Sequence, residues 1–508
     1  MKRISPILMV IIFIFANKTI AQNITFSEIE KTNNKSSTLE VIGKVSGNFI
    51  VYKNLYNKHK LTIFNNDMSI KENVPLDYIS DRTSNIDFIP NQNNFLMIWQ
   101  FQKKNIIYCN AVKINGEGKQ VGEIKTIDTT KMGLFSNNVY YNIRWSEDKK
   151  KVLMYKYSSR SDDFKLAVKI FDENLITQDS ARLTLDVNKY KETIGDLQVD
   201  NNGGIIFVKL LEKKTDNYIN EVELYYKKQN NDSLLNIKLE LDNLKIKEPV
   251  LKLDNLNNTI VLNGFSYRKS NGIINGLFTA IINKAPYILF KKATNIFSDT
   301  LLTLLSGKPD WRTAFDNFFL KNTILKKDGG FILVTEEYYK ERRFVGTGND
   351  RYNNGFGFNN SLPGNYSDYY DFNRGNLGYY RPYNDNSNRD IVYNYDDILI
   401  FSLTKDLKLE WNSVINKTAS DVETDNYLSF TNMNTGGEIY FLFFQKDNKQ
   451  ILSNHALKPN GSVTRYPTLK SREAGYEFMP KLGRQTGSQQ IIIPCTIRNN
   501  IAFAKIDF

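Results

Sequence analysis

The chain of 508 residues is poor in histidine and cysteine, the side chains on which many metal sites and covalent mechanisms depend. It has two histidines, His59 and His455, and two cysteines, Cys109 and Cys495, with no CxxC motif. Two histidines cannot form a multi-histidine metal centre, which argues strongly against zinc-hydrolase and iron–sulfur chemistry. There is no GxSxG motif and no other signal of a nucleophile beside the histidines. The composition therefore predicts neither a cofactor nor a metal.

The sequence also lacks an apolar run long enough to cross a bilayer. The run at 7–16 has about ten apolar residues, whereas a membrane helix needs roughly 18–20. Lys2 and Arg3 precede this run and Thr19-Ile20-Ala21 follows it, a pattern that predicts a secretory signal peptide at 1–21. The junction after Ala21, and the heavy use of Asn, Lys and Ile, resemble secreted proteins of Bacteroidota. We expect an exported protein of a Gram-negative bacterium, periplasmic or associated with the outer membrane or extracellular, with no transmembrane segment after signal removal.

The overall composition is that of a folded, basic protein. Hydrophobic residues make up 41% and charged residues 24%, which excludes wholesale disorder. The chain has 67 Lys and Arg against 55 Asp and Glu, a net charge of +12. Removal of the signal peptide takes away Lys2, Arg3 and Lys18, so the net charge of the mature chain is 12 − 3 = +9. Positive charge suits a polyanionic cell envelope, and export disfavours nucleic acid as a partner. Each cysteine lies in a hydrophobic run, so we predict two buried thiols, although an oxidising compartment would permit a disulfide.

One pattern recurs along the chain: a polar turn, an apolar strand, a polar gap and a second apolar strand that ends in another turn. The first apolar strands of these units begin near Phe49, Phe95, Val152, Ile205, Ile260, Phe331, Ile439 and Ile491, at intervals of 46, 57, 53, 55, 71, 108 and 52 residues. Alternating strands bounded by Asn, Asp and Gly turns are typical of antiparallel hairpins. With one further strand before and one after each hairpin, every unit contains four strands.

Four antiparallel strands in about fifty residues resemble one blade of a β-propeller, although neither a WD dipeptide nor a kelch signature repeats. We predict an all-β fold, a single propeller of eight blades closed by the N-terminal strand. Seven blades, or two smaller β domains in tandem, are the alternatives. The predicted propeller spans 22–508, with blades near 39–80, 85–128, 138–188, 192–244, 247–297, 314–418, 425–469 and 475–508 plus 23–31.

Two elaborations lengthen the intervals. A short helix is predicted from Ser298 as N-cap, with leucines on one face and Gly307 at its end. The segment 344–390 in the sixth blade has no lysine and is rich in Gly, Asn and Tyr. Such a composition cannot bury a core of its own. It predicts a loop insertion, which is either loosely packed or a recognition flap whose tyrosines stack on a ligand.

Propeller topology places both elaborations on one face, together with the loops that join the second and third strands of each blade. Those loops are basic, and the insertion is rich in tyrosine. The predicted ligand-binding residues are Lys103, Lys104, Arg160, Lys213, Lys214, Arg268, Lys269, Arg342, Arg343, Tyr369, Tyr370, Tyr379 and Tyr380. The alternative interpretation is ordinary solvated loop lysines.

Two carboxylate pairs, Glu336-Glu337 and Asp396-Asp397, flank the insertion. Adjacent strand residues point to opposite faces, so neither pair alone forms an acid–base couple, but one member of each could converge across neighbouring strands. The leading hypothesis is an exported, non-enzymatic binding or scaffold protein that presents one face to an envelope protein or an anionic glycan. The alternative is a propeller-type carbohydrate-active enzyme with carboxylates near the central channel. The sequence gives no indication of oligomeric state.

Overall fold

The structure is a computed structural model in which almost all described residues belong to strands and tight turns. It describes residues 22–31, 37–55, 57–132, 141–159, 163–188, 191–195, 197–213, 218–267, 274–301, 315, 317–342, 361–363, 391–422, 424–445, 448–470, 475–498 and 500–508.

The strands are numbered in chain order, and within the described residues they form seven hydrogen-bonded sheets. The largest, of nine strands, is described below in two parts as sheets 4 and 5, and β1 (Asn23–Phe26) belongs to sheet 8. Sheet 1 contains β2 (Ser37–Val45), β3 (Asn48–Leu55), β4 (Lys58–Phe64) and β5 (Ile70–Pro75). Sheet 2 contains β6 (Thr83–Pro90), β7 (Asn94–Lys103), β8 (Ile106–Asn115) and β9 (Gln120–Lys131). Sheet 3 contains β10 (Asn142–Trp145), β11 (Lys151–Ser159), β12 (Asp163–Asp172) and β13 (Thr177–Asp186). Sheet 4 contains β14 (Glu192–Ile194), β15 (Gln198–Val199), β16 (Ile205–Lys213), β17 (Tyr218–Lys227) and β18 (Leu234–Leu239).

The second half of the chain continues the series. Sheet 5 contains β19 (Lys245–Asp254), β20 (Thr259–Tyr267), β21 (Ile274–Lys284) and β22 (Tyr287–Ile296). Sheet 6 contains β23 (Phe318–Leu325), β24 (Phe331–Arg342), β25 (Ser361–Pro363), β26 (Ile391–Leu403), β27 (Leu409–Ile415) and β28 (Ala419–Val422). Sheet 7 contains β29 (Thr431–Asn434), β30 (Ile439–Phe443), β31 (Ile451–Leu457) and β32 (Val463–Lys470). Sheet 8 contains β33 (Glu477–Phe478), β34 (Arg484–Gly487), β35 (Gln490–Ile497), β36 (Asn500–Asp507) and β1.

Each sheet is an antiparallel meander in which consecutive strands pair, apart from the short additional strands. Sheets 4 and 5 are continuous through one paired position, Ile219 with Ile246. The all-β class and the repeated four-stranded antiparallel unit are therefore confirmed, and the arrangement is propeller-like.

Tight turns set the hairpin registers. In the turn before β16, the Asp200 carboxylate accepts backbone N–H bonds from Asn202 at 2.9 Å and Gly204 at 2.7 Å. Gly203 has a φ of 81°, which an L-residue with a side chain rarely adopts. Asp172 forms the same kind of turn before β13, with bonds to the N–H groups of Asn174 and Ile176. These are the Asp and Asn turns that the sequence pattern indicates.

The hydrophobic core lies between successive sheets, because both faces of each inner hairpin are apolar. On β6, Ile86 and Phe88 pack in a cluster shared with sheet 1. Ile89, on the same strand, packs in a cluster shared with sheet 3 that includes Met154. Full burial of one such side chain contributes roughly 1.5–3 kcal/mol. The sheets are thus held by face-to-face apolar contact with both neighbours.

The two ends of the described chain meet in sheet 8. Strand β1 pairs with β36, from Asn23 opposite Asp507 to Phe26 opposite Ala504. Beyond β1, Glu30 forms an isolated bridge with Ile501. Strand β1 is therefore shorter than the 23–31 segment predicted for this blade: it ends at Phe26, the Ser27 N–H still donates to the Phe503 carbonyl at 2.9 Å, and pairing resumes at Glu30.

The helical turns, the two cysteines and the search for a membrane-spanning helix complete the description of the fold. The Ser298 hydroxyl accepts the Leu301 N–H at 3.3 Å at the start of a helical turn at 299–301, as the N-cap prediction requires; Gly307 lies outside the described residues. A 3₁₀ turn, Pro480–Leu482, lies in sheet 8. Cys109 and Cys495 are buried free thiols. Among the helices within the described ranges, none has the length and apolarity to cross a membrane.

Candidate functional site

The sixth sheet carries an extension at the base of the 344–390 insertion. Strand β24 has 12 residues and β26 has 13, and the two pair as far as Arg342 opposite Ile391. The inner strand β23 pairs with β24 only as far as Glu337. Beyond that point β25 pairs with β24, and β28 pairs with β26. We call the resulting four-stranded layer (338–342, 361–363, 391–395 and 419–422) the extension sheet. Residues 361–363, predicted as loop, therefore form a strand.

A β-bulge separates the extension sheet from the rest of sheet 6. Glu336 pairs with Ile398 and Tyr338 pairs with Tyr395, so that Glu337 alone faces two residues of β26. Those two residues are the pair Asp396-Asp397. Bulges redirect side chains and are frequent beside functional sites. The two predicted carboxylate pairs thus meet at one point, and all four side chains are less than 10% exposed.

Glu336 is the centre of a buried ion network at this bulge. Its carboxylate accepts hydrogen bonds or ion pairs from Lys417 Nζ at 3.0 Å, Lys321 Nζ at 3.3 Å and Ser429 Oγ at 2.5 Å. Lys321 also lies 3.9 Å above the ring of Phe430. Two cations and one hydroxyl therefore converge on a single carboxylate that has no exposed surface.

Lys417 ties this network to β26. Its Nζ donates to the Tyr395 carbonyl at 2.5 Å, and its backbone N–H donates to Asp397 Oδ1 at 3.0 Å. The Tyr395 hydroxyl donates to Asp425 Oδ2 at 2.8 Å. Lys481, from the 3₁₀ turn of sheet 8, donates to the Tyr395 hydroxyl at 2.9 Å and pairs with Asp425. The network therefore joins sheets 6, 7 and 8.

The electrostatics keep the network charged. Burial alone would raise the pKa of Glu336, but Lys321, Lys417 and the Ser429 hydrogen bond hold it below its usual value. Burial lowers the pKa of Lys321 to about 8, even though Glu336 opposes this shift. Burial lowers the pKa of Lys481 as well. Glu336 is thus a fixed carboxylate near neutral pH and has no proton to donate.

The second carboxylate pair is also engaged. Asp396 Oδ2 accepts the Tyr339 hydroxyl at 3.1 Å. Burial, followed by the charges of Asp396 and Glu337, raises the pKa of Tyr339 well above its usual value, so this phenol stays protonated. Asp396 and Glu337 both act on one hydroxyl, which places them near each other. Within the described ranges, no three His, Cys, Asp or Glu side chains are positioned to hold a metal ion.

Aromatic side chains pack the extension sheet against sheet 7. Tyr338 and Tyr395 lie side by side with ring centroids 4.7 Å apart. They share a buried cluster with Leu428 and Phe444, which belong to the segments flanking sheet 7. A salt bridge of 2.8 Å from Lys449 to Asp421 adds a second connection. The extension sheet is consequently fixed at its base by apolar contact and by ions.

The predicted basic surface is only partly described. Lys103, the last residue of β7, and Lys104, in the turn that follows, are both exposed, and Lys104 has a φ of 55°. Lys213 and Arg342 are the last residues of β16 and β24. The remaining predicted residues lie outside the described residues: Arg160, Lys214, Arg268, Lys269, Arg343, Tyr369, Tyr370, Tyr379 and Tyr380. A ligand-binding role for this set stays a prediction.

Sequence reasoning missed the cations of the network. Lys417 follows β27 in an ordinary polar stretch that carries no signal. Lys321 does carry a weak one, because it interrupts the apolar run Phe-Phe-Leu-Lys-Asn-Thr-Ile-Leu of β23. A lysine inside a buried strand needs a carboxylate partner, and Glu336 is the first carboxylate on the next strand, β24.

No protein-family model matches the sequence, and no curated protein matches it. Among solved structures, the chain is similar to a prolyl endopeptidase, with a TM-score of 0.41 and 8% identity over 92% of this chain and 55% of that one. The chain thus spans about half the length of that protein. A polysaccharide lyase, Uly1, gives a TM-score of 0.36 with 10% identity over 83% and 89% of the two chains. An α-L-arabinofuranosidase from Fusarium graminearum gives 0.31 with 8% identity over 72% and 92%. At these scores the likeness carries no functional argument.

Proposed function

We propose that the protein is an exported, non-enzymatic binding protein of the cell envelope, in which a ring of eight sheets displays the 344–390 insertion to a protein partner. The observation that carries the proposal is the extension sheet. It holds the two ends of the insertion on a base in which the flanking acidic side chains are buried and engaged.

Contacts between the first and last sheets support ring closure by the N-terminal strand. Arg484 on β34 donates to the Val41 carbonyl on β2 at 3.0 Å. Leu39 and Val41 of sheet 1 share one buried cluster with Met479 and Ile492 of sheet 8. A series of sheets whose last member packs on its first is what a closed propeller requires.

The N-terminal segment adds a polar contact to the same junction. Glu30 pairs with Lys53 of β3 and, at 2.9 Å, with Lys60 of β4. Lys53 is nearly inaccessible and lies between the rings of Phe64 and Phe503. Glu30 therefore joins a strand-end segment of sheet 8 to sheet 1, which supports a structural role for residues 22–31.

The burial of the carboxylates favours binding over acid–base catalysis at this site. A glycosidase needs one carboxyl group with a raised pKa as the acid and a second that reaches the substrate. Glu336 has a lowered pKa and no exposed surface. Asp396 and Asp397 hold a tyrosine hydroxyl and a backbone N–H. These groups stabilise the extension sheet and are not free to exchange protons with a sugar.

The composition of the insertion favours a protein as the partner. Between 344 and 390 there are seven tyrosines, eleven asparagines and seven glycines, with four arginines, five aspartates and no lysine. Tyrosine supplies large contact area at low entropic cost, and Asn and Gly supply adaptable polar contacts, as in antibody loops. A polyanionic glycan would instead be bound by an excess of positive charge, and this segment has a formal charge of about −1.

The test is a replacement of 346–388 by a short Gly-Ser turn. Because β24 and β26 remain paired up to Arg342 opposite Ile391, a short turn can join them, and loop closure costs little extra per doubling of length, roughly 0.6 kcal/mol. The replacement also removes β25, a strand of three residues, and leaves β24, β26 and β28 paired. We therefore expect an unfolding midpoint only slightly below that of the unaltered protein. Cross-linking and capture from native envelope should recover a specific protein with the unaltered chain and not with the variant.

A matched variant separates the predicted basic surface from the insertion. Lys103→Ala with Lys104→Ala leaves the insertion intact and removes two exposed charges. Equal capture by this variant and the unaltered chain is expected. If the double lysine variant lost capture of the partner while the 346–388 replacement kept it, the binding surface would lie on the basic loops. Binding of a sulfated polysaccharide by the unaltered chain would then favour an anionic glycan as the ligand.

A further inference from the structure

A groove lies between sheets 2 and 3, away from the extension sheet. Its volume is about 240 Å³. Asp128 of β9 forms one side, and β11, β12 and β13 form the other with Lys156, Lys169 and Arg182. We call it the intersheet groove. Its size suits a single sugar unit and is small for a larger organic ligand.

The register of sheet 3 explains both the space and the charges. Lys156, Ala167 and Arg182 are cross-strand neighbours on β11, β12 and β13. The next row on the same face holds Lys169 and Ser180. Side chains of alternate residues share a face, so two small side chains lie among three long cationic ones. The short side chains of Ala167 and Ser180 create the space of the groove, and the three cationic side chains surround it.

The charges in the groove do not balance. Asp128 accepts Lys156 Nζ at 2.5 Å and Lys169 Nζ at 3.1 Å. Within the described ranges, no carboxylate pairs with the Arg182 guanidinium. Burial alone would raise the pKa of Asp128, but Lys156 and Lys169 hold that pKa below its usual value. Asp128 therefore stays ionised. With three cations and one anion, the groove has a surplus of two positive charges among partly buried side chains.

Neighbouring groups hold both lysines in place. Lys156 Nζ also donates to Thr130 Oγ1 at 2.8 Å and lies 5.1 Å above the ring of Tyr141. Lys169 Nζ donates to the Ile127 carbonyl at 3.2 Å. The side chains of Lys156 and Lys169 are 27% and 36% exposed. They are therefore held at the groove and still reach solvent. A site with fixed donors loses less entropy on binding an anion than one with mobile surface lysines.

We propose that the intersheet groove binds one acidic sugar unit, with its oxyanion against Lys169 and Arg182 and a hydroxyl donating to Asp128. The oxyanion is a carboxylate, a sulfate ester or a phosphate ester, since all three accept charge-assisted hydrogen bonds from lysine and arginine. Asp128 provides an acceptor that inorganic sulfate, which has no hydrogen to donate, cannot use, and this favours a sugar acid over bare sulfate. The site is separate from the proposed partner surface.

Titration calorimetry on the full chain, at low and at physiological ionic strength, tests the proposal. The probes are glucuronate, glucose 6-sulfate, glucose 6-phosphate, inorganic sulfate and glucose. We expect saturable binding of at least one acidic sugar, weaker binding of sulfate and none of glucose, and the three acidic probes distinguish the source of the oxyanion. Equal binding of inorganic sulfate and the acidic sugars, or binding of none of them, would overturn the proposal.

Two variants locate the site. Arg182→Gln removes an exposed cation and should weaken binding of the acidic probe about tenfold or more, as loss of a charge-assisted hydrogen bond does. Ser180→Leu fills the groove from the exposed outer strand and should abolish binding without changing charge. Lys238→Ala, which removes an exposed lysine paired with Glu221 in sheet 4, is the control and should bind as the unaltered chain does. Unchanged binding by both groove variants, with their unfolding also unchanged, would place the ligand elsewhere.

Discussion

Removing the charge of Glu336 should destabilise the protein far more than removing the charge of an exposed glutamate. Glu336→Gln keeps the size of the side chain and leaves Lys417 and Lys321 facing a neutral amide. Lys417 is fully buried, so its ammonium group would have neither water nor a counter-ion. Apart from the neutral amide oxygen of the new glutamine, the acceptor left to Lys417 Nζ among the described residues of the network would be the Tyr395 carbonyl at 2.5 Å.

The expected loss follows from the burial of the pair. Removing one partner of a buried ion pair costs roughly 3–5 kcal/mol. Unfolding entropy near the midpoint is about 2.1 cal/mol/K per residue, so for roughly 480 residues each 1 kcal/mol lowers the midpoint by about 1 °C. Glu336→Gln should therefore lower the midpoint by about 3–5 °C. The matched control at an exposed position is Glu117→Gln, which removes a 3.3 Å ion pair with Lys119. This variant should lower the unfolding midpoint by less than about 1 °C.

The pH dependence gives an independent check. The pKa of Glu336 is lower in the folded protein than its usual value of 4.5. The unfolded chain therefore binds more protons in that window, and the stabilisation is present above the unfolded pKa and lost as pH falls through the folded one. The difference between Glu336→Gln and the unaltered protein should be full at pH 7 and should shrink below pH 4.5.

Differential scanning calorimetry at pH 7 and at pH 4 measures these differences. The double variant Glu336→Leu with Lys417→Met removes anion and cation together and should recover part of the loss, because it leaves one fewer unpaired charge. A midpoint for Glu336→Gln within 1 °C of that of Glu117→Gln would refute the reasoning. So would a double variant less stable than the single one.

Three further outcomes are expected. Burial raises the pKa of Asp87 from 3.8 to about 7 against the opposing effect of Arg144. The folded state therefore binds more protons than the unfolded chain between those values and loses stability as pH rises through that window. Measured by calorimetry, Asp87→Asn should raise the unfolding midpoint at pH 8 and leave it unchanged at pH 4. Deletion of 22–32 removes the β1 ladder and the Glu30 ion pairs, and should lower the midpoint by several degrees, whereas an unchanged midpoint would contradict closure by this strand. Burial raises the pKa of the Cys109 and Cys495 thiols, so a disulfide-exchange reagent should titrate no thiol in the native protein and two in denaturant; any fast native reaction would count against their burial.

Local pattern was sufficient for the hairpins. The apolar strand predicted to begin at Phe95 is β7, Asn94–Lys103, and the strand predicted at Phe331 is β24, Phe331–Arg342. Each of these follows an Asn- or Gly-containing turn whose geometry is fixed by neighbouring residues. The Ser298 N-cap was predictable for the same reason, because a cap involves only the next three residues. Signals that act within a few residues can be read from one sequence.

The ion network could not be read in that way. Its three lysines, Lys321, Lys417 and Lys481, come from segments separated by more than sixty residues, and only the packing of three sheets brings them together. The bulge opposite Glu337 was also missed, since strict alternation placed neighbouring carboxylates on opposite faces. A single extra residue in one strand depends on the partner strand, and that partner begins only after the insertion.

The form of the extension sheet explains why so many charges are buried there. A sheet in the middle of the series has an apolar neighbour on each face, as β6 does. The extension sheet continues beyond the inner strand β23, so it has lost one source of apolar cover and packs mainly against sheet 7 through its tyrosines. Tyrosine hydroxyls and the exposed ends of strands need polar partners. Asp396, Asp425 and Lys481 supply them, so the same residues that looked catalytic in sequence are required for a hairpin that carries a long insertion.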